Sequence, residues 1–379
     1  MRNFWKQHWF LTTLSFLLVT GLSVGLLGGA EEAGRYLGWL KPRTVTAGVL
    51  LLMSFSLDSG KLWAAFRSPF PVLLGCLLNY GLVPALAWCL MPAQWVPDLR
   101  LGLMIAATVP CTTAAASVMT RKAGGNDAIS LLVTLATNLS CFLLTPLWLR
   151  WTTSTTVPLD LKEMMLDLLV AVLLPTAAGQ LLRAIPPLGQ FATRYKTEIS
   201  TCAQVLIELM VLTAALRAGD KLHDWLHSAE TPQGSPISVA SLLVALVSCA
   251  GLHLVVLVTG WWLAGRAGLP VGAQRAVAFA GSQKTLPIGL YIATNPLTFG
   301  TTHPFAMFPM LLYHTSQLFL DTAIASAWAR GDTAAAQGQH QSGQNPPGPM
   351  PPSSGLAPGS LTTAAQVERG QPGEPTQTR

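Results

Sequence analysis

Gly281-Ser282-Gln283-Lys284-Thr285-Leu286-Pro287-Ile288-Gly289 sets a lysine inside a run that carries no other Asp, Glu, Lys or Arg from Ala276 to Leu320. The apolar run dictates a helix, and Pro287 with the flanking glycines interrupts it by removing a backbone donor and adding conformational freedom. A charge at membrane depth is costly, so Lys284 demands a partner or an aqueous cavity. The residues leave a second reading open, in which the span is shifted and Lys284 snorkels to an interface.

Working outward, a second interruption lies five apolar runs earlier, at Val109-Pro110-Cys111-Thr112-Thr113-Ala114-Ala115-Ala116-Ser117. Pro110 again removes a donor, and Thr112 and Thr113 can re-satisfy freed carbonyls. A repeat of five helices reverses its orientation on its second copy, so two breaks five spans apart fit an inverted repeat whose half-helix ends face each other near the midplane. There, partial backbone charges bind ions or polar groups. Two independent packing kinks are the alternative, since Gly and Pro are common in membrane helices.

Composition supports a lipid solvent for the whole chain: 51% of the 379 residues are hydrophobic and 11% charged, against about 25% charged in a soluble domain. Uncharged stretches recur at Trp9–Ala30, Ser68–Pro97, Leu101–Thr120, Ala128–Leu149 and Thr231–Gly265, and about 20 apolar residues suffice to span a bilayer. The expected fold is an all-α membrane protein with ten transmembrane helices near 8–28, 43–57, 70–91, 101–120, 127–149, 163–183, 199–217, 237–264, 273–294 and 304–328. Arg2 and Lys6 before the first run resemble a signal peptide, but the run is longer than a signal's apolar core, so it is kept as a span.

The net charge of +6 falls in short clusters between apolar runs rather than on one face, which excludes nucleic acid as a partner. Ten spans put both termini on one side, which holds twelve basic residues against eight on the other; the positive-inside rule makes both termini cytoplasmic, in a plasma or inner membrane. The transmembrane domain is expected over 1–330 and a disordered cytoplasmic tail, rich in Gln, Gly, Pro and Ser, over 331–379. All six cysteines lie in apolar segments without a CxxC pair and read as small buried hydrophobes.

Ser130, Thr134 and Asn138 recur every four residues, so they line one helix face that would look toward the break at Pro110; they suit either an ion or simple helix contact. Glu208 and Asp321 are acidic groups in or near spans that could neutralise Lys284 or relay a proton. After the seventh span, Asp220, His223, Asp224 and His227 would share a helix face that could take a divalent ion, although an ordinary interfacial helix is the expectation and no metal site is assigned. No nucleophile, base and orienting residue occur together, so no catalytic residue is assigned and an enzyme is not expected.

The phrases Thr108-Val109-Pro110-Cys111-Thr112-Thr113-Ala114-Ala115-Ala116-Ser117-Val118, Thr120-Arg121-Lys122-Ala123-Gly124-Gly125-Asn126-Asp127, Gly281-Ser282-Gln283-Lys284-Thr285-Leu286-Pro287 and Phe308-Pro309-Met310-Leu311-Leu312-Tyr313-His314 resemble the bile acid:sodium symporter superfamily, and most closely its solute carrier family ten, member seven-like branch. The resemblance runs from about Trp5 to Ala329. It implies two inverted five-helix repeats, a panel domain and a core domain with two crossing broken helices, and alternating access that moves an organic anion beside sodium ions.

By that resemblance the sodium-site positions fall on Asn79, Ser117, Ser130, Thr134 and Gln283, all oxygen-bearing as a hard cation requires. Thr112, Thr113, Lys284 and Thr285 complete the candidate substrate- and ion-binding set. Two positions depart: Phe279 stands where sodium-coupled members carry a shared glutamate, and Lys284 where they carry asparagine. An ammonium there implies that sodium coupling is weak or absent, leaving a proton as the other coupling ion, since buried lysines change protonation readily. The branch's link to calcium homeostasis leaves an alternative function, a membrane regulator that acts through a partner and translocates nothing.

Overall fold

The computed structural model describes residues 2–57, 69–112, 114–153, 160–227, 237–295, 299–300 and 302–342. Among them every regular element is helical, the solution open to a chain whose backbone polar groups must be paired inside hydrocarbon. Pro69–Ala93, Asp127–Thr153, Leu161–Ala184, Lys196–Asp224 and Val239–Arg266 are each long and apolar enough to cross a bilayer. The protein is an all-helical integral membrane protein.

The chain begins with α1 (Arg2–Leu26), turns at Gly28 with φ +80°, and forms a short α2 (Ala30–Leu37) before α3 (Pro42–Ser56). Next come α4 (Pro69–Leu77) and α5 (Val83–Leu90), two parts of one span joined by a π-helical turn at Leu78–Leu82. Then α6 (Pro97–Thr108) stops at Pro110, α7 (Ala115–Lys122) resumes, and α8 (Asp127–Thr153) runs through Pro146 unbroken.

The second half opens with α9 (Leu161–Leu168), capped by Asp160, which accepts from Glu163 N at 3.0 Å. A second π-helical turn, Leu169–Leu173, leads into α10 (Leu174–Ala184), followed by the short α11 (Pro186–Arg194), α12 (Lys196–His227) and α13 (Val239–Arg266). The last elements are α14 (Val271–Ser282), α15 (Leu286–Thr294) and α16 (Met307–Ser342). The residues after Arg217, expected as an interfacial helix beyond the seventh span, continue α12 without a break to His227, because no proline or glycine pair stops that helix.

Met1–Asp332 forms one compact unit and Thr333–Arg379 another. The tail expected from Gly331 begins inside α16, where Ala334-Ala335-Ala336 favours continuing the helix; its remainder from 343 lies outside the described residues. Cys111, Cys141 and Cys249 are buried as expected, but Cys89 and Cys202 are exposed and Cys76 half-buried. Apolar segments that face lipid have no core to hide a cysteine in, which is why the expectation failed at those positions.

Close packing follows small residues. α1 lies on α12, where a Cβ at Gly219 would sit 2.4 Å from Leu22 O and 2.9 Å from the Gly25 Cα. α3 lies on α10, where a Cβ at Gly179 would meet Leu51 O at 2.6 Å and the Ser54 hydroxyl donates to Thr176 O at 2.7 Å. In lipid, such approach of backbones replaces the hydrophobic drive that holds soluble helices together. Elsewhere α14 packs on α13, α4 and α8, and α15 on α3, α6 and α12.

Candidate functional site

The two interruptions are real gaps in helix geometry. α6 ends with Val109 in extended backbone (φ −74°, ψ 159°); Pro110 has no N–H to continue the helical ladder, and past the break the carbonyl of Thr108 accepts from Thr145 Oγ1 at 2.6 Å. α14 ends with Gln283 extended (φ −75°, ψ 146°) and α15 begins after an extended Thr285 (φ −86°, ψ 128°). The gaps meet: Thr285 N donates to Pro110 O at 2.9 Å.

Lys284 sits at this crossing with no exposed surface. Its Nζ donates to Asn79 O at 2.7 Å, Asn79 Oδ1 at 3.0 Å and Val109 O at 2.9 Å, and it lies 5.4 Å from the centre of the Tyr80 ring. The π-helical turn frees the Asn79 carbonyl for this role by taking it out of the regular ladder. Three oxygens and an aromatic face thus surround one ammonium, which satisfies all three of its donors. The backbone of Lys284 is fixed by Gln317, whose Oε1 accepts from Lys284 N at 2.9 Å and whose Nε2 donates to Lys284 O at 2.8 Å.

Neither carboxylate considered as a charge partner bonds Lys284. Glu208 on α12 accepts from Thr13 on α1, and Asp321 on α16 accepts from Gln283 Nε2 at 2.6 Å and pairs with His253 Nε2 at 2.9 Å. The physical reason is reach: residue spacing could not reveal that the amide of Gln283 stands between the crossing and Asp321, taking the carboxylate for itself, while Lys284 turns toward Asn79 and Val109. Asp321 and His253 are both fully buried, and the His253 Nδ1 faces Ser282 O at 3.3 Å, beside the Tyr313 hydroxyl that donates to the same carbonyl at 2.8 Å.

The other candidates gather around the first gap. Thr112 Oγ1 donates to Gln283 Oε1, joining the two interrupted spans through side chains as well. Thr134 Oγ1 donates to Thr112 O at 3.1 Å, and Asn138 Nδ2 to Cys111 O at 3.1 Å, so the face of α8 does look onto the break. Ser130 pairs with Thr120 at 2.6 Å and Ser117 donates to Ala114 O at 3.1 Å; these two sit farther along α8 and α7 and bond within their own neighbourhood. Thr113 lies outside the described residues. The Oδ1 of Asn138 is buried without a hydrogen-bond partner among the described residues, an acceptor at the crossing left open for a donor.

Phe279 is buried with Ala123, Leu257, Ala278 and Ala325 and meets the Trp328 ring edge-on at 5.4 Å, so an apolar cluster fills the position implied for a shared glutamate. Missed in the sequence are His253 and Gln317, and a cluster around Asp167. There Asp167 on α9, nearly buried, accepts from Tyr291 OH and from Asn295 Nδ2 at 2.9 Å and faces Arg43 Nε at 3.6 Å. Those four residues join α3, α9 and α15, and nothing in their local spacing announces it.

Among the described residues no group of three or more His, Cys, Asp or Glu side chains is arranged to hold a metal. Asp224, one of the residues weighed for that role, pairs with Lys221 at 3.6 Å.

A helical membrane protein whose two interrupted spans touch at their unwound segments has the architecture of a secondary carrier. Residues 8–330 match the SBF-like CPA transporter family, and the chain belongs to that family. It is 25% identical over 313 residues to the probable sodium/metabolite cotransporter BASS1, chloroplastic, of Arabidopsis thaliana, covering 82% of this chain and 72% of the relative. It is 24% identical over 292 residues to the probable sodium/metabolite cotransporter BASS4, chloroplastic, of the same plant, covering 75% of this chain and 65% of that one. The putative symporter YfeH of Escherichia coli (strain K12) is 27% identical over 252 residues, 66% of this chain and 71% of that protein. These relatives bear out the resemblance to the bile acid:sodium symporter superfamily, a group of transporters and not of enzymes.

Proposed function

We propose that the protein is a secondary active transporter that moves a small organic anion by alternating access, with the Lys284 ammonium standing where sodium-coupled relatives bind a cation. The observation that carries this reading is the oxygen cradle of Asn79 O, Asn79 Oδ1 and Val109 O, each within 3.0 Å of the Lys284 Nζ. Carbonyl and amide oxygens at a helix break are the donor set a hard cation takes. Here a covalently attached cation fills it, and Phe279 removes the carboxylate that a sodium ion would share. Sodium then has no seat at the crossing, and a proton is the remaining candidate for coupling.

An inverted repeat of two five-helix units accounts for the packing. Moving five spans along the chain exchanges the pair α1 and α12 for the pair α10 and α3, both of which are in close contact, and exchanges the gap at Pro110 for the gap at Gln283–Thr285. In this reading α1, α3, α10 and α12 form the panel. The interrupted spans, with α4, α5, α8, α13 and α16, form the core, and the substrate binds where panel and core face each other across the crossing. Thr46 on α3, donating to Pro287 O at 3.5 Å, marks that boundary. Both termini lie in the cytoplasm of a plasma or inner membrane, following the basic residues, and the segment beyond the membrane domain is a cytoplasmic tail.

Reconstituted protein in proteoliposomes, offered a panel of radiolabelled carboxylates and sulfonates with sodium or choline outside, tests the reading. Saturable uptake of at least one anion, equal in the two salts and lost in Lys284→Met, is expected. Uptake driven by a sodium gradient and indifferent to Lys284→Met sinks it.

A further inference from the structure

His223 and His227 stand one turn apart near the end of α12, and each has one ring nitrogen committed. The Nδ1 of His223 lies 2.8 Å from Leu26 O at the end of α1, and the Nδ1 of His227 lies 2.9 Å from His223 O. A carbonyl oxygen only accepts, so in the neutral rings both protons are on Nδ1 and both Nε2 atoms are lone-pair donors to a metal. The ring centres are 4.1 Å apart with planes tilted by 30°, and the four-residue spacing puts both rings on one face of the helix.

A histidine whose far nitrogen is anchored to a backbone carbonyl is the arrangement that orients imidazole for metal binding and raises its basicity. Gly28, held at φ +80°, lies beside His223, and even a Cβ there would remain 3.9 Å from the His223 Nε2, so the chain leaves that nitrogen accessible. His227 is exposed, and among the described residues neither Nε2 has a hydrogen-bond partner.

We propose that His223 and His227 bind one divalent transition-metal ion of the zinc, nickel or copper kind, with water completing its coordination, and that the bound ion fastens the end of α12 to the end of α1. Two imidazoles select these borderline ions over magnesium and calcium, which prefer oxygen cages. Coordination at Nε2 polarises the Nδ1–H of His223 and strengthens its bond to Leu26 O, which couples the ion to the α1–α12 contact. The proposal is independent of the transport reading, since it involves none of the residues at the crossing.

The test uses the full chain in nanodiscs, purified without a polyhistidine tag. Titrated with zinc chloride in a calorimeter, the wild type is expected to bind one ion and to ignore magnesium chloride, with His227→Gln weakening zinc by about tenfold or more. Because His227 is exposed, the variant should keep its unfolding midpoint without metal, which separates lost ligation from lost fold. Copper(II) added to the wild type should give a paramagnetic resonance spectrum split by two equivalent nitrogens, reduced to one in His227→Gln. Absence of zinc binding in the wild type, equal zinc affinity in the variant, or a copper spectrum without the two-nitrogen pattern overturns the proposal.

Discussion

At the scale of a residue, Lys284 combines full burial with three oxygen acceptors. A group that replaces a diffusible cation should make the folded state indifferent to that cation. The unfolding midpoint of the purified protein is therefore expected to be the same in sodium chloride and choline chloride, whereas a protein with a sodium site gains stability by mass action. In Phe279→Glu/Lys284→Asn, which restores both implied sodium-site residues, sodium is expected to raise the midpoint. Lys284→Met leaves an amide oxygen and two carbonyls without their donor, and should cost about 1–3 kcal/mol in equilibrium unfolding. The lysine itself was legible, because a lone charge in a long apolar run stands out in any reading. Its partners were not: Asn79 lies 205 positions away, and the pairing of Asp321 with His253 depends on how α13 and α16 pack, which no local spacing encodes.

At the scale of an element, the breaks were legible because proline acts through the chain's own geometry, and both fall where Pro110 and the Gln283–Thr285 segment placed them. The π-helical turns were not, since no residue type requires them. The short α2 and α11, which lie flat in sequence between longer runs, escaped for want of apolar length. The glycine contacts between α1 and α12 make a direct prediction. Gly219→Ala drives a Cβ into Leu22 O and the Gly25 backbone, neither of which can yield without moving a helix, so a loss of about 1–3 kcal/mol is expected. Gly251→Ala on α13 meets nothing within 4 Å and should leave the unfolding midpoint unchanged or slightly raised. Equal effects at the two sites would mean that close helix approach is not what holds α1 to α12.

At the scale of the whole molecule, the Arg43, Asp167, Tyr291 and Asn295 cluster ties α15 to α3 and α9, and its release should loosen α15 against α3. In Asp167→Asn, a cysteine placed at the buried Thr46 is expected to react faster with a membrane-impermeant maleimide than it does with Asp167 intact. Elsewhere, Arg275 grips Asp332 and Ala123 O, and the guanidinium holds the Asp332 carboxyl below its ordinary range. A lowered carboxylate contributes stability that is present above the unfolded value, about 3.9, and is lost as pH falls through the folded one. Acid unfolding should therefore begin at higher pH in Arg275→Gln than in the wild type, read by helical circular dichroism. A final consequence follows from the tether of the ammonium at the crossing. In the proposed cycle a dissolved ion would leave with the cargo and be replaced on every turn, so its gradient would perform work; a side chain travels back with the empty carrier and performs work only by taking up and releasing a proton on the way. Without that proton, net flux through such a carrier would be set by the cargo's own gradient and by the voltage across the bilayer, and with neither it would only exchange one anion for another.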